Sequence, residues 1–381
     1  MAVTINNLWG AETGGMDEAS AFSGASASTV QVHSGTYSYT FTPVTDTASF
    51  EPFEVVADAG VNCVLGFWFR TPPDTTTSNI LCELGDGTNF DFNLRFNAGV
   101  GTLVLRDSAA SVAITSSALS VSTWYFIEVY VERLDSGGAE LFINGISEGT
   151  ASAKDFNAVT GTPVVKFLGT NNGAQYIDDI YFMSDAADAS SRLGGCELFS
   201  YRSSIASAVP DTGDNLSSGI WSNAQQIPFN DTNVSRYIDT IAQAGHIITD
   251  DIGGSSGGGP SGDTNIDGTI KAIKGMWRAR RDNGSATDHF GLLGNDGDGV
   301  TRTPVLGLTN TPTLYTMVSE LATIVPTDAE FCRIGIEKTS GGRLFNCFDM
   351  LAVILHVPAP SVTPPSLIYK HNQAFQHLIS R

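Results

Sequence analysis

The sequence is poor in charged side chains, and above all in positive ones. Charged residues make up 16% of the 381 residues, with 20 Lys and Arg against 40 Asp and Glu. Average globular proteins have roughly 25% charged residues, so much of the surface here must come from Ser, Thr, Asn and Gly. The net charge of −20 repels phosphate backbones and anionic lipid headgroups. We therefore expect neither nucleic acid nor a membrane among the partners.

Long apolar runs are also missing. The richest, residues 64–69 and 351–357, have the length of a strand and fall short of the roughly 18 residues of a membrane-spanning helix. The first residues show no basic segment followed by an apolar one, so we expect no secretory signal peptide. Synthesis in a cytoplasm is expected, with any later exposure through a route other than Sec export.

Cysteine is scarce, at five residues with wide spacings and no C-x-x-C pair. With cytoplasmic synthesis, the expectation is five reduced and mostly buried thiols. A cross-strand disulfide between Cys63 and Cys82, or between Cys332 and Cys347, stays open as the alternative.

Alternation of apolar and polar residues dominates instead, and it predicts β-strands. In residues 124–132, Tyr125, Ile127, Val129 and Val131 share an apolar face, and the other face is mixed. That mixed face carries aromatic side chains that either stack on sugars or pack against a second sheet, and packing is the favoured interpretation. Asn144-Gly145 predicts a tight hairpin turn.

The predicted fold class is all-β, with two tandem β-sandwich or jelly-roll domains and few short helices. Helical periodicity is limited to residues 234–244 and 370–379. The small, polar segment 184–195 separates a first domain, residues 1–185, from a second β-sandwich domain, residues 196–358. Residues 359–381 are predicted to be a proline-rich connector followed by a docking tail.

Four motifs in the first half occur in a fixed order. They are the segment 32–41 around His33-Ser-Gly, the strand 124–131, the hairpin 140–145 and Ile177-Asp-Asp-Ile180, with the strand 66–70 between the first two. Residues 1–185 thereby resemble the concanavalin A-like, or laminin-G-like, jelly rolls of bacteriophage structural proteins. The second half is similar to β domains that follow such modules in tailed-phage virion proteins. The similarity lies in Trp221 and in residues 230–233, 271–282 and 313–337.

The resemblance implies a virion protein made in a bacterial host. Catalytic motifs are the next feature of the sequence. Concanavalin A-like glycoside hydrolases carry E-x-D-x-x-E or E-x-D-x-E on one strand, and neither motif occurs here. Glu128 and Glu132 would lie about 13 Å apart on a strand, beyond the roughly 5–9.5 Å of glycosidase pairs. No nucleophile elbow, phosphate loop or zinc spacing occurs either. The sequence therefore predicts that the chain is not an enzyme.

Two groups of candidate site residues remain. The first group matches the first half of a calcium-binding loop and consists of Asp263, Asn265 and Asp267. Lys274 stands at the position where such a loop needs a bidentate Glu. We therefore expect no cofactor, and calcium stays open as the alternative. The second group is a basic stripe. It is either a solvated strand face or a docking surface for an acidic partner, and consists of Lys271, Lys274, Arg278, Arg280 and Arg281.

The expected function is that of a structural protein on the exterior of a phage virion, as a capsid decoration, collar or tail-fibre component. It would act by binding other virion proteins, as a homo-oligomer for which a trimer is the expected state. The alternative is an adhesin that binds a host surface glycan and serves host attachment.

Overall fold

The computed structural model describes residues 4–11, 14–16, 18–41, 46–50, 62–74, 78–97, 99–160, 163–169, 173–184, 186–202, 216–218, 238–240, 245–248, 268–281, 289–295, 299–302, 309, 313–324, 332–338 and 345–358. Within them the chain is all-β, which confirms the predicted fold class, and the one helical element is a 3₁₀ turn at Ala189–Ser191. No helix in the described part is long and apolar enough to span a membrane.

The first half forms two antiparallel sheets packed face to face. Sheet A has the strand order β13-β12-β11-β6-β15-β4-β3, with β1 beside β15. Its strands are β1 (Thr4–Trp9), β3 (Ser26–Ser28), β4 (Ser38–Phe41), β6 (Cys63–Arg70), β11 (Trp124–Val131), β12 (Gly137–Ile143), β13 (Ile146–Lys154) and β15 (Gln175–Ser184).

Sheet B faces sheet A and has the order β10-β9-β8-β7-β14-β5-β2. Its strands are β2 (Ala21–Ser23), β5 (Thr47–Phe50), β7 (Asn79–Gly85), β8 (Phe90–Asn97), β9 (Thr102–Arg106), β10 (Val112–Ala118) and β14 (Val164–Leu168).

The core between these sheets follows the alternation in the sequence. Ile127, Val129 and Val131 of β11 point inward and are buried, while Trp124 and Phe126 point to the other face of sheet A. Residues directly opposite on paired strands share a face, so the register of β11 on β6 sets both faces at once. Asn144 and Gly145 both have positive φ, as the predicted hairpin turn requires.

The second half contributes two further sheets. Sheet C has the order β17-β18-β25-β20-β23, with β16 also on β25, and sheet D has the order β19-β24-β21-β22. The strands of sheet C are β16 (Glu197–Arg202), β17 (Leu216–Ser218), β18 (Ile238–Thr240), β20 (Gly268–Arg281), β23 (Thr313–Ile324) and β25 (Phe345–Pro358). Those of sheet D are β19 (Gly245–Ile248), β21 (His289–Asn295), β22 (Gly299–Arg302) and β24 (Cys332–Lys338).

One predicted helix is wrong where the structure describes it. Ile238–Thr240 lies at the centre of the predicted helix 234–244, yet it pairs with β17 and β25 as a strand. Pairing with a long neighbouring strand outweighs a short helical pattern, because most helical stability in proteins comes from packing and not from local preference. The predicted helix 370–379 lies outside the described residues.

Part of the outer face of sheet A is covered by sheet C. Phe126, Tyr130 and Tyr181 are buried in one apolar cluster with Met276 of β20 and Leu355 of β25. We call this shared cluster the junction. It confirms that the aromatic side chains of Phe126 and Tyr130 pack against another sheet. Because the two halves share this buried surface, the independence of the predicted domains stays a prediction.

Polar contacts reinforce the junction. The Lys274 Nζ donates to Glu18 Oε1 at 2.5 Å and to the Leu8 carbonyl at 2.6 Å, and both charged side chains are at most 2% exposed. Burial lowers the pKa of Lys274, and the negative charge of Glu18 acts in the opposite direction. A buried ion pair of this kind fixes the position of β20 on the first half.

Cys63, Cys82 and Cys196 are free and buried, so the alternative Cys63–Cys82 disulfide is not formed. Desolvation raises the pKa of the Cys63 thiol to about 12. These thiols therefore act as small apolar groups of the core.

Gly66 of β6 provides a test of packing at the junction. A Cβ atom on Gly66 would lie 2.1 Å from the Tyr181 ring, whereas one on Gly195 would meet Trp68 at an ordinary 3.8 Å. We expect Gly66→Ala to lower the free energy of unfolding by about 1–3 kcal/mol through overpacking. Gly195→Ala, as the control, should leave chemical denaturation nearly unchanged. Equal effects of the two substitutions would show that Tyr181 does not fill this space.

Candidate functional site

A row of side chains crosses the outer face of sheet A at the end that lies beside the junction. Trp124 of β11 pairs with Arg70 of β6, Arg70 pairs with Tyr176 of β15, and Tyr176 pairs with Thr40 of β4. Directly opposed residues of antiparallel strands have neighbouring Cβ atoms on one face. We call these four residues the Trp124 row.

The Trp124 row keeps part of its surface exposed. Trp124, Arg70 and Thr40 are half-buried, whereas Tyr176 is 9% exposed and lies beneath Arg70. The Arg70 Cζ lies 5.8 Å from the centre of the Tyr176 ring, within the range of a cation–π contact. Among the described residues, no hydrogen bond or ion pair engages the Arg70 guanidinium or the Trp124 indole N–H. The row thus combines aromatic surface with two unengaged donor groups.

His33 forms one border of the row. It lies between β3 and β4, and its ring stacks on Trp68 with centroids 3.6 Å apart and 15° between the planes. Its edge contact with Trp124 has a centroid distance of 5.7 Å. Trp68 in turn donates its indole N–H to the Cys196 carbonyl at 2.7 Å, which ties this border to the start of the second half. Trp68 is therefore held in place, while Trp124 is not.

Two aspartates hold the His33 segment. Asp178 Oδ2 accepts the backbone N–H of His33 at 2.9 Å, and Asp179 Oδ2 lies 2.8 Å from His33 Nδ1. Asp179 has a φ of 49° at a register shift of β15 on β6, so both aspartate side chains can serve this segment. The motif Ile177-Asp-Asp-Ile180 marks this site in the sequence, but nothing in the sequence shows that His33 is its partner.

Asp179 also engages Ser34 and Leu198. The Ser34 hydroxyl donates to Asp179 Oδ1 at 2.6 Å, and the Leu198 N–H donates to the same oxygen at 2.8 Å. Burial raises the pKa of Asp179, and the contacts with His33, Ser34 and Leu198 act in the opposite direction. Since Ser34 bonds to the aspartate and not to the imidazole, the three residues do not form a Ser–His–Asp relay.

The arrangement leaves one nitrogen of His33 for chemistry. A hydrogen bond to an ionised Asp179 places a proton on Nδ1, and in the neutral imidazole Nε2 is then the acceptor. The His33 side chain is 16% exposed, and among the described residues no hydrogen bond engages Nε2. A neutral imidazole fixed in this way offers Nε2 as a hydrogen-bond acceptor next to Trp124.

Glu128 and Glu132, the carboxylate pair that the sequence analysis compared with glycosidase pairs, lie away from the Trp124 row. Glu128 is fully buried, where its oxygens accept from the Tyr181 hydroxyl at 2.5 Å, the Gly194 N–H at 2.8 Å and Arg192 at 3.1 Å. Glu132 accepts the Gly138 N–H at 2.7 Å. Both carboxylates hold local structure, and Glu128 ties the segment after β15 to sheet A.

The predicted site residues meet different outcomes. Asp263, Asn265 and Asp267 lie outside the described residues, so calcium binding there stays a prediction, and the described part has no group of three or more side chains suited to a metal ion. Lys274 is buried against Glu18, so its acidic partner belongs to the same chain. Lys271, Arg278, Arg280 and Arg281 lie on β20, and their role in docking stays a prediction.

No protein-family model matches the sequence, and no curated protein matches it. Solved structures are similar to about half of the chain. A carbohydrate esterase from the Shiga toxin-encoding bacteriophage phi24B has a TM-score of 0.38 at 14% identity, covering 49% of this chain and all of that one. An endo-β-1,4-glucuronan lyase from the fungus Trichoderma reesei has a TM-score of 0.36 at 11% identity, covering 47% and 95%. Domain 4 of an extracellular arabinanase from Geobacillus stearothermophilus, in complex with arabinotriose, has a TM-score of 0.35 at 14% identity, covering 50% and 97%.

At these identities the likeness extends to the fold alone, which is a β-sandwich. The comparisons also correct one expectation. The prediction that the chain is not an enzyme is wrong, because it excluded catalysis and the similar structures include a lyase and an esterase. The absent E-x-D-x-x-E motif removes one catalytic arrangement and not catalysis as such.

Proposed function

We propose that this chain binds carbohydrate through the Trp124 row, as a protein of the exterior of a bacteriophage particle. The observation that carries the first part is the half-exposed Trp124 beside Arg70 and His33, each with a polar group that the described residues do not engage. Ligand sites combine aromatic surface with a few polar groups, and a pyranose ring offers C–H groups to an aromatic face and hydroxyls to the polar groups.

The junction gives the Trp124 row a firm support. The two halves share a buried cluster and a buried ion pair, so the Trp124 row is presented on a continuous, firmly joined body. The sequence resemblance of both halves to phage structural proteins supports a capsid decoration, collar or tail-fibre component. Such a component would bind neighbouring virion proteins and expose the row to a host surface.

A glycan array tests carbohydrate binding. We expect the wild-type chain to bind one class of host surface glycan, and Trp124→Ala to lose most of that signal because the stacking surface is removed. Phe22→Ala is the matched control, since Phe22 is 56% exposed on β2 of the other sheet. Equal loss from both variants, or no binding by the wild type, would reject carbohydrate binding at the row.

Mass spectrometry of purified phage particles tests the virion assignment separately. We expect peptides of this chain in intact particles at the copy number of a symmetric component, and their loss after proteolytic shaving of the exterior. Absence from purified particles would reject the assignment without touching carbohydrate binding.

A further inference from the structure

Arg70 differs from the other described arginines in what lies beside it. Arg133 binds Asp91 and Arg192 binds Glu128, whereas Arg70, Arg95 and Arg106 form no ion pair with a described carboxylate. The Nε groups of Arg95 and Arg106 are buried, while Arg70 is half-buried and lies over the Tyr176 ring next to Trp124. No carboxylate among the described residues forms an ion pair with Arg70. Charge pairing within the described chain therefore does not account for this arginine.

Neighbouring contacts hold Arg70 in a fixed place. Its Cα is paired on both sides, with Trp124 and with Tyr176, and its guanidinium lies over the Tyr176 ring. A guanidinium over an aromatic face keeps its N–H edge available, and that edge matches the two oxygens of a carboxylate. The stacked surface of Trp124 lies on the adjacent strand, at the spacing of directly opposed residues.

We propose that the Trp124 row selects a sugar that bears a carboxylate, such as a uronic acid residue of a surface polysaccharide. The pyranose ring packs on Trp124, the carboxylate bonds to the Arg70 guanidinium, and a ring hydroxyl donates to His33 Nε2. The aspartates nearby do not compete for Arg70, because Asp178 and Asp179 are engaged by His33, Ser34 and Leu198. This inference rests on carbohydrate binding at the row and adds the class of ligand.

The net charge of −20 opposes an anionic ligand at long range, but physiological salt screens charges that lie more than about 8 Å apart. The contact with Arg70 is short and is screened less. Selection of an acidic sugar by an acidic chain therefore depends on this one guanidinium, which makes the inference sensitive to a single substitution.

The experiment is calorimetric titration of the full chain with oligogalacturonate, oligoglucuronate and a sialylated oligosaccharide, each beside its carboxyl methyl ester. The ester keeps the ring and its hydroxyls and removes the charge. For at least one acid we expect the wild type to bind about tenfold or more tightly than it binds the ester, since a charge-assisted hydrogen bond to the carboxylate is stronger than one to the neutral ester. Arg70→Gln should remove that preference, so that the acid and its ester bind with affinities within about twofold of each other.

Lys166→Gln is the matched control, because it also removes one positive charge but lies on β14 of sheet B beside Glu83. It should keep the preference for the acid. Near-ultraviolet circular dichroism of Arg70→Gln verifies that the sheet is intact. Equal binding of acid and ester by the wild type, or a preference that survives Arg70→Gln, would overturn the inference and leave carbohydrate binding standing. If the array finds no glycan of any kind, both proposals fail together.

Discussion

Asp91→Asn is expected to lower the free energy of unfolding by about 3–5 kcal/mol, the range for removing one partner of a buried ion pair. The Arg133 Nε donates to Asp91 Oδ2 at 2.7 Å, and the two side chains are 2% and 0% exposed. Asp91 Oδ1 also accepts the N–H groups of Ala158 and Val159. Asparagine keeps the shape and those two acceptor contacts, but it leaves the guanidinium buried without the Asp91 charge.

Equilibrium denaturation in urea measures this effect. Lys166→Gln is the control, because the Lys166–Glu83 pair is 3.4 Å apart and partly exposed on sheet B, where such pairs contribute about 0–1 kcal/mol. If Asp91→Asn and Lys166→Gln had the same small effect, the Arg133–Asp91 pair would not contribute the stability expected of a buried ion pair.

Lys274→Met is expected to have a similarly large effect, centred on the junction. It leaves the Glu18 carboxylate, which is fully buried, without the ammonium at 2.5 Å. Glu18 then keeps only the Tyr39 hydroxyl at 3.2 Å and the Gly10 N–H at 3.4 Å among the contacts seen here. We expect a loss of about 3–5 kcal/mol and faster proteolysis between the two halves.

Glu18→Gln in the same chain should restore part of this stability, because the two neutral residues no longer bury an unpaired charge. The double-mutant cycle should therefore give a coupling energy of at least about 1 kcal/mol. Lys271→Met, three positions earlier on β20 and partly exposed, is the matched control and should stay within about 0.5 kcal/mol of the wild type. Additive effects of Lys274→Met and Glu18→Gln would contradict the ion pair.

Alternation within single segments predicted much of this fold. The inward side chains Ile127, Val129 and Val131 were predicted from β11 alone, since a strand repeats every two residues. The Asn144-Gly145 turn was predictable for the same reason, because its positive φ values depend on the two residues themselves. The helix over residues 234–244 failed at Ile238–Thr240, where the partner strand β25 lies about a hundred residues away.

The candidate site could not be predicted, because it depends on register between distant strands. Arg70 is adjacent to Trp124 only through the pairing of β6 with β11, and His33 meets Asp179 across 146 positions. Lys274 is a residue that the sequence did single out, but without its partner. The sequence placed it in a basic stripe with Lys271, and only the contact of β20 with the first half reveals Glu18 as its partner.

Tryptophan indole signals in a ¹⁵N-correlated nuclear magnetic resonance spectrum offer a direct test of binding at the row. The chain has five tryptophans, and Trp124→Phe and Trp68→Phe assign two of the signals. We predict that a glycan identified on the array shifts the Trp124 signal in a saturable way, while Trp68, bonded to the Cys196 carbonyl, stays in place. A bound glycan that leaves the Trp124 signal unchanged would show that the ligand lies elsewhere on the chain.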